Sequence, residues 1–554
     1  MTQSANLATD VPAAASTNAA RVGRLDYLAL TVITSFASLV SFLRFLAQDQ
    51  VLVHGDAIAH IMIARRLFDS RTPGLLQLGT VWLPLPHLLS APFLISDWAW
   101  RTGIGGSIVS MLAYVLGTLG IYRLVRRGLE QSHASASLAR GCGWFAAFIY
   151  AANPNLMYLQ ATALTESLSL ALFIWTICCF ADFVFALRQH EARMAARSLL
   201  AVGWLSLAAT LTRYDGWFAT AIISVLVLAL VFFTQNGREV PRAALLKFLL
   251  LAAVGPALWF GYNAYVFKNP LEFATGPYSA KAIEDRTRRP GEPHHPGWQS
   301  PYVAGMYFVK SVRLVIGDWR YDRTWFPLAL VGTTLLLGLA RGVWPWSFAW
   351  VPLPFYALSI AYGGVPLFIP TWWPFSYYNV RYGIQLLPAL SIFFALALYF
   401  ALTWIANRPL RAVATGAAIG VAVAGYAFCW ATVPICQREA QVNTLAKNIL
   451  ERAMAHELAK LPASAMLLMY IGEHGGALER ACIPLTRTIN EGNWGLWQKA
   501  LLSPGHHADY LVAGAGDPVS AAITPLSPTL EKQHVLHTPG EGDVTIYLVH
   551  RDRP

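Results

Sequence analysis

Residues with the potential for chemistry first appear in the stretch 51–70, VLVHGDAIAHIMIARRLFDS, which directly follows the first long apolar run. Here His54 and Asp56 stand at the start of a predicted helix, and His60 follows four residues after Asp56. Residues four apart on a helix share one face. A carboxylate in this position can act as a general base toward a substrate hydroxyl. We therefore predict that Asp56 is catalytic and that His60 is its polar neighbour.

Further acids and cations fall at the ends of later apolar runs. Charged groups are costly at membrane depth and are kept there mainly for function. Acids beside cations suit a reaction on a phosphate-bearing lipid, in which a carboxylate deprotonates an acceptor hydroxyl and guanidinium groups hold the phosphate. The predicted phosphate ligands are Arg213 in TRYDGW, Arg381 in NVRYGIQLLP, and Lys281. The predicted supporting residues are His60, Glu166 in TESLSLAL, Asp215 and Tyr382.

Each of these residues also has a purely structural interpretation. Asp56 follows a glycine and could cap the N-terminus of its helix. Glu166 could cap the span that follows it, and Arg213 with Asp215 could form a local ion pair. Arg381 could anchor to a lipid headgroup. These alternatives remain open from the sequence alone, and a capping residue can also be catalytic.

Signals for metals and cofactors are weak. Asp56 and His60 could contribute to a divalent metal site, but two ligands are too few to predict one. The six cysteines show no metal-binding spacing. The sequence GEHGG at 472–476 follows a predicted strand but fits no nucleotide fingerprint, so we interpret it as a turn. No cofactor is predicted, and a divalent ion is left open.

Composition places these residues in an integral membrane protein. The chain has 554 residues, of which 56% are hydrophobic and only 13% charged, with a mean hydropathy of +0.45. Soluble proteins carry about 25% charged residues. The net charge of +11 arises from basic residues between apolar runs. Topology and anionic lipids explain that pattern better than a nucleic acid partner, which we exclude.

Eleven apolar runs are long enough to cross a bilayer. They lie near 27–47, 104–122, 141–158, 164–187, 198–212, 216–234, 245–266, 325–340, 345–363, 384–405 and 411–433. With the N-terminus in the cytoplasm, every cytoplasmic segment contains basic residues, whereas the outer segment 159–163 has none and 212–216 has one. This pattern predicts a cytoplasmic N-terminus and an extracytoplasmic C-terminus.

The domain organisation follows from the same pattern. Residues 1–24 are predicted to form a disordered cytoplasmic tail, and 25–436 a transmembrane catalytic domain with outer loops 48–103 and 267–324. After Cys436 the composition changes. A helical pattern is followed by strand-like runs at 466–472, 509–514 and 544–550. Residues 437–554 are therefore predicted to form a small extracytoplasmic α/β domain.

The chain resembles the GT-C superfamily of integral membrane glycosyltransferases. The chain resembles the bacterial relatives of protein O-mannosyltransferases and the aminoarabinose transferases in four features. These are an acidic residue in the first outer loop, amphipathic helices in that loop, about a dozen spans, and a C-terminal outer domain. The stretches TESLSLAL, TRYDGW and VRYGIQLLP are also similar to pieces of such enzymes. The resemblance covers residues 25–435 as architecture and only short stretches as sequence.

The resemblance implies a polyprenyl-phosphate sugar donor and an inverting transfer in a bacterial inner membrane. Asp56 would be the base, and Arg213 and Arg381 would bind the donor phosphate. Protein mannosyltransferases show an adjacent Asp-Glu pair where this chain has Asp56 and Ala57. The acceptor, whether lipid, glycan or protein, is therefore left open. The alternative functions are an oligosaccharyltransferase or ligase of the same superfamily, and a polytopic transporter or lipid flippase.

Overall fold

The computed structural model describes residues 13–288, 291–317, 322–339, 343–523 and 529–550. Its first half is helical: α1 Ala13–Ala47, α2 Gly55–Arg66, α3 Leu85–Ser90, α4 Asp97–Arg101, α5 Ile104–Gln131, α6 Ala136–Ala151, α7 Pro154–Leu159, α8 Glu166–Arg188, α9 Ala192–Thr210, α10 Tyr214–Phe233 and α11 Arg242–Phe267. Helix α1 begins inside the segment predicted to be disordered, of which residues 1–12 lie outside the described ranges.

Helices continue through the rest of the membrane domain: α12 Glu272–Thr275, α13 Ala280–Thr287, α14 Pro301–Ile316, α15 Asp322–Leu339, α16 Pro352–Tyr362, α17 Leu387–Trp404 and α18 Arg408–Ala431. Short 3-10 helices lie at Leu75–Leu78, Ala91–Leu94, Asn236–Glu239, Trp344–Trp350 and Val380–Leu386. Helix α5 packs against α6 and α8, α9 packs against α8 and α11, and α17 packs against α6 and α15.

Among the described residues, seven helical ranges are long and apolar enough to cross a membrane. They are Gly23–Ala47, Ile104–Gln131, Glu166–Arg188, Tyr214–Phe233, Arg242–Phe267, Val380–Trp404 and Arg408–Leu458. All seven coincide with predicted spans, and the protein is an integral membrane protein. The other four predicted spans fall on segments that are shorter or less apolar, so the count of eleven stays a prediction.

The first outer loop is folded rather than open. It contains α3 and the 3-10 helix Ala91–Leu94. The buried Arg65 at the end of α2 donates to Asp69 at 2.8 Å, to Asp97 at 2.6 Å and to the Leu94 carbonyl oxygen at 2.6 Å. One guanidinium thereby ties α2 to the segment before α4, and this fixes the helix that carries Asp56.

The C-terminal domain begins with α19, Ile435–Leu458, and contains a five-stranded sheet. Its strands are β1 Leu467–Met469, β2 Thr488–Ile489, β3 Tyr510–Gly514, β4 Leu530–Leu536 and β5 Val544–Val549, in the order β2-β1-β3-β5-β4. Strand β1 is parallel to β2 and β3, whereas β5 is antiparallel to β3 and β4. Its helices are α20 Ile471–Arg480, α21 Leu496–Leu502, α22 Pro504–His507 and α23 Pro518–Ile523, and a 3-10 helix spans Leu485–Arg487.

The predicted strands at 466–472, 509–514 and 544–550 are confirmed as β1, β3 and β5. Two strands were missed, because β2 has only two residues and β4 is an edge strand with exposed polar side chains. The stretch predicted as a turn at 472–476 lies in α20, but this helix is kinked at His474, whose φ of −124° and ψ of 20° are not helical. Glu491 accepts the Ile471 N–H at 3.0 Å and stabilises the N-terminus of this glycine-rich helix from outside.

Candidate active site

Asp56 lies in the first turn of α2 and is not its N-cap. That position belongs to His54, whose Nδ1 accepts the Asp56 backbone N–H at 3.2 Å. The capping interpretation of Asp56 is therefore wrong. Its carboxylate is free to face the neighbouring elements, and its side chain keeps 35% of its surface exposed. A partly exposed carboxylate beside buried groups can be reached by a substrate.

Arg381 lies in the 3-10 helix Val380–Leu386 and brings three distant segments together. Its Nη2 donates to Asp56 Oδ2, and its Nε donates to Glu166 Oε1 at 3.0 Å. Its Nη1 lies 2.5 Å from His54 Nε2. Both Arg381 and Glu166 are buried. The interpretation of Arg381 as a headgroup anchor is wrong, because its guanidinium points into this polar cluster.

Arg213 supplies a second guanidinium to the same cluster. It lies 3.4 Å from Glu166 Oε1 and 3.4 Å from Asp215 Oδ2. The Tyr356 hydroxyl accepts from Arg213 Nη2 at 3.1 Å and donates to Asp215 at 3.0 Å. Glu166 is therefore shared between the two arginines, at the N-terminus of α8. The local ion pair of Arg213 with Asp215, which the sequence left open, is present. Arg213 also contacts Glu166 and Tyr356.

Tyr382 lies between the two cations. Its ring centroid is 5.4 Å from the Arg213 guanidinium carbon and 5.2 Å from that of Arg381. An aromatic face attracts a cation, most strongly when both are shielded from water. Tyr382 thus contacts both guanidinium groups of the cluster, and its supporting role stays a prediction.

His54 cannot satisfy both of its polar contacts. A neutral imidazole has one acceptor nitrogen and one donor nitrogen. Both ring nitrogens of His54 face donors, the Asp56 backbone N–H at Nδ1 and an N–H of Arg381 at Nε2. Whichever tautomer the ring adopts, one of these two N–H groups lacks an acceptor on His54.

The histidines are neutral and Asp56 is ionised at neutral pH. The pKa of His54 and that of His60 are both lowered to about 4, mainly by burial. The charge of Arg381 contributes to the lowered pKa of His54. Burial alone would raise the pKa of Asp56, but the charge of Arg381 outweighs it and the pKa falls to about 2. The paired carboxylate is consequently a weak base as long as Arg381 stays in contact.

The stability of the protein should decrease as the pH falls from 6.5 to 4. In this window the unfolded chain protonates His54 and His60 while the folded chain does not, so protons favour unfolding. The contribution of Asp56 is lost only below this window, as the pH falls from 3.8 towards 2. Melting temperatures in detergent at pH 7, 6, 5 and 4 measure the slope. We expect the His60→Gln variant to show a shallower slope, and an unchanged slope would contradict the assignment.

His60 points away from the arginines towards α3. Its Nδ1 lies 2.8 Å from Nε2 of His87, and its ring centroid lies 4.9 Å from that of Trp82. The two histidines line a small pocket that also touches Thr165. Thr165 in turn accepts a hydrogen bond from Arg213 at 3.0 Å. His60 therefore adjoins the cluster without contacting its cations.

Lys281 is the one predicted phosphate ligand that stands apart. It is exposed on α13, and its backbone packs against Gly364. Within the described ranges it makes no hydrogen bond or ion pair with Asp56, Arg213 or Arg381. Its role in phosphate binding stays a prediction.

Three residues of the site were missed in the sequence. His54 adjoins Asp56 but was considered only as part of the same stretch. Tyr356 lies within an apolar run and has no local signal. Glu439, on α19, accepts the backbone N–H groups of Val380 and Arg381 at 3.1 Å each. No sequence pattern connects Glu439 to Arg381, because their contact depends on how the C-terminal domain docks.

A metal centre is not formed by the described part of the chain, in which no three His, Cys, Asp or Glu side chains come together as metal ligands. Asp56 and the neighbouring histidines offer two kinds of ligand for a divalent ion, a carboxylate and imidazole groups. Whether an ion joins them stays a prediction.

Comparison with solved structures identifies the fold. The crystal structure of ArnT from Cupriavidus metallidurans bound to undecaprenyl phosphate matches with a TM-score of 0.55 at 14% sequence identity, over 94% of this chain and 97% of that chain. The apo structure of the same protein gives a TM-score of 0.54 at 15% identity, over 95% and 98%. ArnT is an aminoarabinose transferase with a GT-C fold. This chain has a GT-C fold.

The other comparisons add less. An oligosaccharyltransferase from Archaeoglobus fulgidus matches with a TM-score of 0.44 at 12% identity, over 94% of this chain and 74% of that chain, which is too low to support an argument. The sequence matches no protein-family model and no curated protein. The expected GT-C architecture is confirmed as a fold.

Proposed function

We propose that the protein is a membrane glycosyltransferase that moves a sugar from a polyprenyl-phosphate donor to an acceptor on the extracytoplasmic side of a bacterial inner membrane. The observation that supports it is the contact between Asp56 and Arg381, with Glu166 and Arg213 beside them, in a GT-C fold. A base next to guanidinium groups suits an acceptor hydroxyl next to a phosphate leaving group.

The reaction is a single displacement with inversion at the anomeric carbon. The acceptor oxygen forms a bond to that carbon as the bond from the carbon to the phosphate oxygen breaks. Asp56 takes the hydroxyl proton, and the electron pair of the broken bond stays on the released polyprenyl phosphate. Arg381 and Arg213 stabilise the charge that develops on the phosphate.

The pairing of Asp56 with Arg381 makes the order of binding part of the mechanism. Before the donor arrives, Arg381 suppresses the basicity of Asp56 and lowers its pKa to about 2. A donor phosphate competes for the same guanidinium. As Arg381 turns to the phosphate, Asp56 loses its counterion and becomes the stronger base. The donor should therefore bind before the acceptor reacts.

The position of the cluster distinguishes this proposal from a transporter or flippase. Transporter sites lie near the bilayer midplane, between broken helices. Here Asp56 is in the first turn of α2, Glu166 in the first turn of α8 and Asp215 in the first turn of α10. Charged groups at helix ends favour chemistry at one membrane face.

The decisive test uses the purified protein in liposomes with a radiolabelled sugar on undecaprenyl phosphate. We expect labelled product and released undecaprenyl phosphate when an extract of acceptor lipids and glycans is present, and little release without it. Uptake of label into the liposome lumen without a new covalent bond would contradict the proposal and favour transport.

Charge favours one second candidate, a metal-dependent oligosaccharyltransferase of the same superfamily. The cluster contains three carboxylates, on Asp56, Glu166 and Asp215, and two guanidinium groups, on Arg213 and Arg381. A phosphate would add further negative charge, which a divalent cation could offset. In the same assay, loss of transfer on adding a chelator and recovery with Mg²⁺ or Mn²⁺ would favour this candidate, and full activity in chelator would exclude it.

A further inference from the structure

Helix α19 belongs to the C-terminal domain by sequence but is attached to the membrane domain. The Cys436 N–H donates to Asn155 Oδ1 at 2.9 Å. About two turns further on, Asn443 Nδ2 donates to the Tyr377 carbonyl oxygen at 2.8 Å. The first part of α19 therefore lies directly against the segment that precedes Arg381.

Glu439 is the residue of α19 that reaches the candidate site. Its Oε1 accepts the Val380 N–H and its Oε2 accepts the Arg381 N–H, both at 3.1 Å. Its surface is only 1% exposed. The two N–H groups open a 3-10 helix, where they have no partner within the helix itself. A carboxylate at a helix N-terminus is favourable, and here it comes from another domain.

The same domain also contacts the helix that carries the base. Helix α20 packs against α2, and a Cβ added at Gly475 would lie 3.3 Å from Met62. The C-terminal domain thus contacts both elements of the catalytic pair: α20 packs on the helix of Asp56, and Glu439 binds the backbone of Arg381.

We propose that Glu439 is a positioning residue that sets the backbone of Arg381, and that the C-terminal domain completes the donor-phosphate site through it; this inference rests on the proposed function. The backbone before Arg381 is under local constraint, since Asn379 adopts a left-handed φ of 57°. Without Glu439, two buried N–H groups lose their partners and the segment shifts to find others. A displacement of about 1 Å in a substrate-holding group can reduce turnover by about 10²-fold.

The test compares two substitutions at this position in the full-length protein. In Glu439→Leu both backbone contacts are lost, whereas in Glu439→Gln the carboxamide oxygen can keep one. We expect the affinity for undecaprenyl phosphate to fall about tenfold in Glu439→Leu, equivalent to about 1.4 kcal/mol, and less in Glu439→Gln. The KM for the donor should rise in the same order. Equal losses in the two variants would overturn the proposal, because they would indicate a role of charge alone.

Glu451 provides a matched control on the same helix. It is also 1% exposed and also accepts a backbone N–H, that of Gly476 at 3.3 Å. It faces the C-terminal domain and not the 3-10 helix of Arg381. Glu451→Leu should lower the melting temperature about as much as Glu439→Leu and leave affinity for undecaprenyl phosphate unchanged.

The outcomes separate this inference from the proposed function. If the wild-type protein does not bind undecaprenyl phosphate, the proposed function fails. If the wild type binds and Glu439→Leu binds equally well, Glu439 does not position Arg381. If Glu451→Leu loses as much affinity as Glu439→Leu, the effect comes from general destabilisation and the proposal is overturned.

Discussion

Replacing Asp56 by Asn is expected to lower kcat for sugar transfer by at least about 10²-fold, since general-base catalysis contributes about 10²–10⁴-fold. The same change should tighten binding of undecaprenyl phosphate several-fold. In the wild-type protein Asp56 competes with a phosphate for Arg381, and an uncharged amide competes less well. Turnover and lipid affinity, measured on the same preparation, check the two parts separately.

The opposite directions of these effects make the result informative. A merely destabilised variant would lose both turnover and lipid affinity. Asp49 offers a control in the same outer loop, because its side chain is 64% exposed and pairs with Arg452 and Arg480 of the C-terminal domain. Asp49→Asn should change neither quantity, as exposed ion pairs contribute little. Unchanged turnover in folded Asp56→Asn protein would remove Asp56 from the mechanism.

The membrane helices could be predicted from the sequence because hydropathy is a local property. The run at 164–187 coincides with α8, and the run at 216–234 with α10. The C-terminal domain was harder to predict. Strand β4 has charged residues exposed along its length, and the glycine-rich start of α20 is stabilised by Glu491 from a distant turn. Residue propensity alone predicts a turn at 472–476. The contact with Glu491 favours a kinked helix instead.

In the candidate site, too, contacts between sequence neighbours could be predicted and long-range contacts could not. Asp56 and His60, or Arg213 and Asp215, are neighbours in sequence, so spacing suggested each pair. Contacts across hundreds of residues left no such signal. Arg381 meets Asp56 across 325 positions, and no local pattern indicated this contact.

Lys281 shows that a position in the predicted topology does not determine which residues a side chain contacts. It lies on the same side of the predicted topology as the cluster, but α13 leaves it exposed and apart from Arg381. Glu439 is the opposite case, since it was assigned to the soluble domain and lies against the site. Topology restricts the face of the membrane on which a residue lies but does not determine its neighbours.

Replacing Arg381 by Met should abolish detectable binding of undecaprenyl phosphate and also destabilise the protein. The guanidinium contacts Asp56, Glu166 and His54, and Glu166 is buried. Removing one partner of a buried ion pair costs about 3–5 kcal/mol, and the loss here should lie below that range because Glu166 keeps Arg213 at 3.4 Å. Arg381→Lys should recover part of the stability but little binding, since an ammonium group cannot reach all three partners in one plane.

A double variant separates the structural from the functional loss. In Arg381→Met/Glu166→Gln the buried carboxylate next to the missing cation is also removed, so part of the lost stability should return, while Asp56 still lacks its counterion. Lipid binding should not return, because the phosphate still lacks its ligand. Arg452→Met is the control for arginine removal, as that side chain is 61% exposed at the surface. If the double variant bound undecaprenyl phosphate like the wild type, Arg381 would have only a structural role, and the phosphate would have to bind elsewhere on this face.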